Sequence, residues 1–356
     1  THSEALYDYN SNWYSETTNQ LESITKEKGQ SNYTQANATW KYRPNEKWTI
    51  IPGKHFMHFA YTGEVVAEPL LAFKYNVTKR QNLSLAGGMH SRMEPLITYF
   101  SKTFIPGTTE RYIPNTNLEL NKAVHGVLGY GIHLALGWNV KTEAYIQYLY
   151  DIPIGTGSQK NFSTLNNFGY AGNAVLINEG LGRNYGIEFT LDKPLTNGFY
   201  MLATASLYQS EFSNDSGKTW QQTRFNGNYV FNVMAGKEWM VGKKKGKTNV
   251  VGVNLTSSII GGMRYRDIDL AASRSAGTTV YNSDLFDAKS DDLLKQNLSA
   301  YYRFNRKKTS HEFKIDVQNI LNHTPAVAVY YDPQTDNIER YEGLGLLPNI
   351  VYTMRF

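Results

Sequence analysis

The final stretch of the chain shows the pattern that governs most of its length. Ile350, Tyr352, Met354 and Phe356 alternate with Val351, Thr353 and Arg355. Successive side chains of a strand point to opposite faces, so such spacing builds one greasy face and one wetter face. Leu298, Ala300, Tyr302 and Phe304 alternate in the same way with Asn297, Ser299, Tyr301 and Arg303. Phe313, Ile315 and Val317 alternate with Glu312, Lys314, Asp316 and Gln318. Opposite Tyr185, Ile187, Phe189 and Leu191 the other face reads Asn184, Gly186, Glu188, Thr190 and Asp192. Helical periodicity is nearly absent.

The pattern predicts thirteen strands, at 31–41, 47–61, 66–76, 82–92, 122–134, 138–153, 183–193, 199–213, 228–241, 247–262, 293–304, 310–321 and 347–356. Many are about 11 residues or longer, whereas soluble strands run nearer 5–6 and a tilted membrane-spanning strand needs about 9–11. Tight turns at 43–46, 78–81, 135–137, 194–198, 242–246 and 305–309 alternate with long connections at 93–121, 154–182, 214–227, 263–292 and 322–346. Only the turn at 62–65 breaks the rhythm. Short turns on one rim and long loops on the other are the layout of an outer-membrane barrel. The fold class expected is all-β, a transmembrane antiparallel β-barrel with short periplasmic turns and long extracellular loops. Residues 1–30 are expected as an extracellular loop and 31–356 as the barrel segment. Bacterial barrels have even strand numbers with both termini periplasmic, so thirteen strands behind a leading loop predict the C-terminal part of a larger barrel. Thr1-His2-Ser3-Glu4 carries neither a start methionine nor an apolar leader, which predicts a processed product or a fragment.

Composition removes other classes. With 26 Tyr, 16 Phe, 6 Trp and 41% hydrophobic residues the chain is not a disordered one. Zero cysteine excludes disulfide scaffolds, zinc ribbons and thiol catalysis. No apolar run approaches the ~18 residues of a membrane helix, and a mean hydropathy of −0.47 agrees. Neither fact bears on a barrel, whose strands are apolar on one face only.

Several segments, taken in order, resemble the C-terminal barrel of TonB-dependent outer-membrane receptors. They are 85–95 (LAGGMHSRMEP), 141–154 (KTEAYIQYLYDIPI), 183–191 (RNYGIEFTL), 197–212 (NGFYMLATASLYQSEF), 225–239 (FNGNYVFNVMAGKEW), 261–265 (GGMRY), 314–322 (KIDVQNILN) and 346–356 (LLPNIVYTMRF). The resemblance implies a 22-stranded barrel with an N-terminal plug, importing a scarce nutrient (a metal chelate, cobalamin, a glycan or a peptide) with energy passed through TonB. It places the protein in the outer membrane of a Gram-negative bacterium. Its implied partners are outer-membrane lipid, the chain's own plug and missing strands, TonB and the outer-membrane assembly machinery. No cofactor and no nucleic-acid partner is expected.

Candidate residues fall into three sets. The terminal strand, with Ile350, Tyr352, Met354 and Phe356 on alternate positions, resembles the signal read by the assembly machinery. Glu188, Thr190, Asn297, Arg303, Glu312, Lys314 and Asp316 point into the lumen if the apolar phase faces lipid. Tyr99, Phe104, Tyr112, Tyr170, Tyr281, Tyr330 and Tyr341 in the long loops offer contact surface for cargo, the tyrosines with a polar tip. Trp40, Trp48, Tyr61, Trp138, Tyr150, Phe199 and Trp239 suit interfacial girdles. Basic turns at Lys79-Arg80, Lys243 to Lys245 and Arg306 to Lys308 read as solvated hairpins rather than nucleic-acid sites, for no stacking platform adjoins them. His55 and His58, three apart on a strand, face opposite sides and cannot share an ion. No nucleophile elbow, phosphate loop or ligand spacing for a metal supports catalysis. Three readings compete: a self-contained passive channel of about 14–16 strands, a barrel enzyme with a Ser/His/Asp constellation on a rim, and a soluble glycan-binding β-protein.

Overall fold

The computed structural model describes residues 1–15, 20–105, 108, 110–167, 174–244, 247–306 and 308–356. One antiparallel sheet dominates it. Its strands, in chain order and in spatial order alike, are β1 (His2–Ser15), β2 (Gln20–Thr39), β3 (Trp48–Phe59), β4 (Glu64–Asn76), β5 (Gln81–Arg92), β6 (Asn121–His133), β7 (Asn139–Gly155), β8 (Leu176–Thr196), β9 (Phe199–Ser213), β10 (Tyr229–Lys244), β11 (Lys247–Ile260), β12 (Leu293–Asn305), β13 (Ser310–Gln318) and β14 (Leu347–Arg355). Each pairs with the next, an up-and-down meander without crossovers. All thirteen predicted strands are present, as β2 to β14.

Register carries the alternation across the wall. Leu255 faces Leu298, Tyr302 faces Phe313, and Ile315 faces Ile350, so one face is continuously apolar. Leu128, Ile146, Ile187, Phe313 and Ile315 on that face are all exposed. A contiguous apolar wall of this extent is costly in water, at roughly 25 cal/mol per Å2, and at home in hydrocarbon. No helix among the described residues is long and apolar enough to cross a membrane.

The short turns lie together on one rim and are built by residues suited to them. Asn197 (φ 56°) and Gly198 (φ 72°) adopt the positive dihedrals of a tight hairpin, which joins Thr196 to Phe199. The Asn45 side-chain oxygen accepts from the N–H groups of Lys47 and Trp48, and Thr78 Oγ1 from those of Arg80 and Gln81. Trp40, Trp48, Trp138, Phe199 and Trp239 sit at this rim, and Trp48 packs on Tyr75 at 4.6 Å between centroids. Tyr61 lies toward the opposite rim and packs there on Tyr99 and Phe100, at 5.5 and 5.1 Å.

Within the 1–30 segment expected as an extracellular loop, His2–Ser15 and the first part of Gln20–Thr39 pair as a two-stranded β-ribbon. Tyr33 of β2 is level with Phe59, the end of β3, so the β1–β2 pairing from 20 to 33 lies beyond the wall, reaching about 40 Å at the usual rise per residue. Alternation explains the ribbon: Ala5, Tyr7 and Tyr9 share a face that packs on a buried cluster beneath it. Tyr7 lies across Gly29, its register partner, and stacks on Phe100 at 4.6 Å. Polar composition had hidden this, for only every second residue needs to be apolar in a ribbon with one covered face.

Tyrosines on the polar face lie across glycines of neighbouring strands. Tyr200 of β9 covers Gly236 of β10 and donates its hydroxyl to Asn254 of β11 at 2.8 Å. Tyr301 of β12 covers Gly252 of β11 and donates to Glu238 of β10. Tyr145 of β7 covers Gly186 of β8. A Cβ at Gly252 would stand 2.2 Å from the Tyr301 ring, so no larger residue leaves the ring its place.

Candidate functional site

The long connections gather on the rim opposite the tight turns and fold on one another. The 93–121 loop carries helix α1 (Leu96–Phe100), whose Leu96, Tyr99 and Phe100 pack with Phe59, Leu118, Leu120 and Leu176 into a buried cluster. Around it, Lys122 Nζ is bracketed by Asp151 (2.9 Å), Glu64 (3.0 Å) and Glu119 (3.4 Å), joining four segments through one ammonium. The buried Asn115 amide donates to the carbonyl of Ala174 and its oxygen accepts from Leu176 N–H, which ties this loop to β8.

Farther along the rim, four loops enclose a cavity of about 560 Å3. Arg224 comes from 214–227, Arg264 and Arg266 from 263–292, Phe162 and Asn166 from 154–182, and Ala328 from 322–346. Arg264 and Arg266 are two apart beside the short strand Arg264–Tyr265, which pairs with Ala288–Lys289. The Arg266 guanidinium lies 3.8 Å from the Tyr281 ring centroid and 3.5 Å from Asp284, which also accepts from Asn161 at 2.9 Å. Arg264 donates to neutral acceptors, the Asn226 carbonyl at 3.0 Å and Asn228 Oδ1 at 3.3 Å. Arg224 is fixed through its backbone by Asn166 Oδ1 and by Arg264 N–H. Burial lowers the pKa of its guanidinium; nearby Tyr281 opposes this and the like charge of Arg266 adds to it.

Of the tyrosines expected to meet cargo, Tyr281 lines this cavity. Tyr99 is fully buried in the α1 cluster, where it touches protein rather than solvent. It sits on a short helix of which four of the five residues are buried, which loop composition did not reveal. Tyr112 and Phe104 stand exposed on a two-stranded ribbon, Phe104 beneath Arg111 at 4.3 Å. Tyr330 and Tyr341 are exposed on the hairpin Ala326–Asp332 and Asn337–Glu342. Tyr170 lies outside the described residues. Arg224, Arg264 and Arg266 were missed: Arg224 lies about 40 residues before the other two, and only the meander brings their loops together.

The expected lumenal residues share the polar face. Arg303 donates to Glu312 at 2.8 Å beside Tyr301 and Glu238, Lys314 lies 3.7 Å from Asp316, and Asn297 Oδ1 accepts from Asn319 N–H at 2.9 Å. Thr190 sits in register between Lys141 and Thr204. Glu188, opposite Glu143, lines a second hollow of about 370 Å3 with His125 and Tyr145. Ile350, Tyr352 and Met354 take the apolar face of β14, and Phe356 follows the strand, almost wholly exposed.

One Ser/His/acid grouping occurs on the wall. Glu68 accepts from Ser91 N–H at 2.7 Å and from its hydroxyl, and pairs with His55 Nδ1 at 2.6 Å. The carboxylate stands between serine and imidazole, so the imidazole does not face the hydroxyl in the order of a Ser-His-acid triad. Among the described residues no three His, Asp or Glu side chains are placed to hold a metal.

A local pH response follows from the 214–227 loop. Asp215 accepts from the Thr219 hydroxyl (2.6 Å) and N–H (2.9 Å) and from Ser213 Oγ (2.7 Å), which hold its pKa at about 2 against an ordinary 3.8. A depressed folded pKa means the ordering of this turn is complete above 3.8 and lost as pH falls through about 2. A carboxyl-carbon NMR titration of Asp215 is expected to give that midpoint; one near 3.8 would show the hydrogen bonds are absent.

Neither protein-family models nor curated proteins match the sequence. Solved structures do. The ferric-catecholate import receptor Fiu of E. coli K12 matches with a TM-score of 0.59 and 10% identity, over 94% of this chain and 46% of that one. The ferric enterobactin receptor PfeA of Pseudomonas aeruginosa matches with 0.59 and 15%, over 92% and 45%. The ferric yersiniabactin uptake receptor FyuA of Yersinia pestis matches with 0.59 and 10%, over 91% and 45%. The chain spans just under half the length of these receptors. Its meander of long antiparallel strands, tight turns on one rim and folded loops on the other has the fold of a receptor β-barrel.

Proposed function

We propose that the chain is the barrel portion of an outer-membrane receptor that imports a scarce nutrient with energy from TonB. The observation that carries this is the thirteen-strand wall, apolar on one face, that superposes on nearly half of several iron-uptake receptors and carries a walled cavity among its loops. On this reading the apolar face meets lipid, and Glu188, Arg303, Glu312 and Lys314 face the lumen. The 263–292 and 322–346 loops face the outside of a Gram-negative cell and hold the cargo. A plug and about nine further strands complete the barrel and supply the contact with TonB. The apolar phase of β14, ending in Phe356, serves recognition by the assembly machinery. The protein acts by capture and passage rather than by catalysis.

The test is the intact mass of the native protein in outer membranes, read with an antibody to residues 322–346. About twice the 40.4 kDa of this chain is expected, since the receptors it matches are about twice as long. A native mass near 40.4 kDa would remove the TonB assignment and favour a self-contained channel.

A further inference from the structure

We propose that the rim of tight turns is a binding surface for anionic phospholipids, whose phosphates its lysines and arginines neutralise while its aromatics fix it at headgroup depth. The inference rests on the barrel fold and its two unlike rims, and not on what the barrel imports.

The charge of the chain is unevenly divided. Residues 40–48, 77–81, 192–199, 239–248, 304–309 and 353–356 are tight turns with the strand ends beside them, and the end of β14. They hold fourteen lysines and arginines against two acids, Glu46 and Asp192. Lys245 and Lys307 lie outside the described residues and enter by sequence alone. The whole chain has a net charge of only +5, so everything outside these segments is net negative. A solvated turn needs polar residues, and asparagine or either sign of charge serves, so solvation alone leaves the bias of sign unexplained. Pairing also differs between the rims. Toward the loops, Lys28, Lys122, Arg266, Arg274 and Arg340 each meet a carboxylate. At the turns, Lys41, Arg43, Lys79, Arg80, Arg306 and Arg355 are exposed, and none forms an ion pair with a described residue.

Position selects the partner. Neighbouring turns stand about two strand spacings apart, roughly 10 Å, which is close to the screening length at physiological salt. Their charges therefore act as one surface. Asn76 donates to the Glu46 carbonyl at 2.9 Å, which ties the first turn to the strand that runs into Lys79 and Arg80. Like charges held together raise the energy of the rim, and a layer of anions beside it offsets their repulsion. Aromatics set the depth. Trp40 and Trp48 flank the first turn and Trp239 leads into that of residues 242–246, all three exposed. Farther along, Phe304 stacks on His311 at 4.8 Å, and His311 Nδ1 lies 2.8 Å from the Tyr352 hydroxyl. Arg306 lies over Phe304 at 5.6 Å, Arg355 is level with Ser310, and Lys193 lies over Trp138 at 5.5 Å. Tryptophan and tyrosine rest where hydrocarbon gives way to headgroups, so cations beside them stand level with lipid phosphates. The surplus recurs at four of the six turns and at the end of β14. A surrounding lipid layer meets all of these places, whereas one acidic protein would meet a single patch.

The experiment uses the native protein, extracted in detergent, stripped of lipopolysaccharide and shown to be folded by heat-dependent gel mobility. It is placed in nanodiscs of phosphatidylglycerol or of phosphatidylcholine, and lysine acetylation is followed by peptide mass analysis. Lys41, Lys79 and Lys308 are expected to react about tenfold more slowly in phosphatidylglycerol, and the protection should fade with added salt. Lys26, on the ribbon beyond the wall, should react alike in both. A second readout counts the phospholipids that stay on the protein through native mass spectrometry from mixed micelles. Arg306→Gln with Lys308→Gln should lower retained phosphatidylglycerol about tenfold, while Arg274→Gln with Arg340→Gln, the same charge removed at the loop rim, should leave it unchanged. Equal acetylation in the two lipids would overturn the proposal, as would equal loss of phosphatidylglycerol from the two double variants. Lysines slow to react in native outer membranes but fast in both nanodiscs would also overturn it, assigning the rim to an acidic protein.

Discussion

Gly261→Ala is expected to lower the stability of the barrel by about 3 kcal/mol and to scatter the loops above it. The reason is backbone against backbone. A Cβ on Gly261 would stand 1.9 Å from the carbonyl oxygen of Gly227, and one on Gly262 would stand 1.9 Å from that of Ser290. No rotamer change relieves such contacts, in contrast to a clash with the end of a long side chain. These two glycines are where β11 leaves the sheet to begin the loop of Arg264 and Arg266, and the Gly261 N–H still donates to Tyr229 at 3.0 Å. A displacement here moves the wall of the cavity with it. The measurement is the temperature at which gel mobility changes, paired with phenylglyoxal reactivity of Arg266. Gly343→Ala is the control, for nothing lies within 4 Å of a Cβ at that position. Equal behaviour of the two variants would show that the close approach is not sustained.

Lys122→Met should cost about 3 kcal/mol, because it leaves Glu64, Glu119 and Asp151 clustered around an apolar chain. Lys122 and Glu64 are only about a fifth exposed in their side chains, so solvent screens the carboxylates incompletely. The deficit is expected to shrink as pH falls below the ordinary carboxylate range, where the three acids become neutral and cease to repel. Unfolding followed at pH 7 and again near pH 3 tests this. A loss that is the same at both values would point to packing of the lysine stem and away from charge. Replacing Glu119 alone, the most exposed of the three, should change little.

Alternation made the wall legible before any coordinate was known, because register preserves period two from strand to strand. Tyr302 facing Phe313 and Ile315 facing Ile350 are consequences of the same pattern that marked each strand separately. The rim was less legible. The pairing of β1 with β2 was hidden by its polar face, and the inward turn of Tyr99 depends on a five-residue helix too short to show a helical period. The arginine cavity was invisible for a different reason. Arg224 and Arg266 lie on separate connections, and nothing local to either announces the other. Tyr281 could be found from sequence as an aromatic in a long loop, but its partner could not.

The three tyrosine crossings on the polar face have a mechanical meaning. Tyr200 and Tyr301, each with the hydrogen bond its hydroxyl donates, bridge two strand spacings, about 10 Å, at right angles to the strands. Together, Tyr200 and Tyr301 link β9 through β12 in two overlapping sets of three, and Tyr145 covers the β7–β8 pair. Tension that would open the wall along one ladder is therefore shared with the next. A sheet sewn in this way resists tearing around its circumference while remaining free to slide little along its length, as a hoop does in a cask.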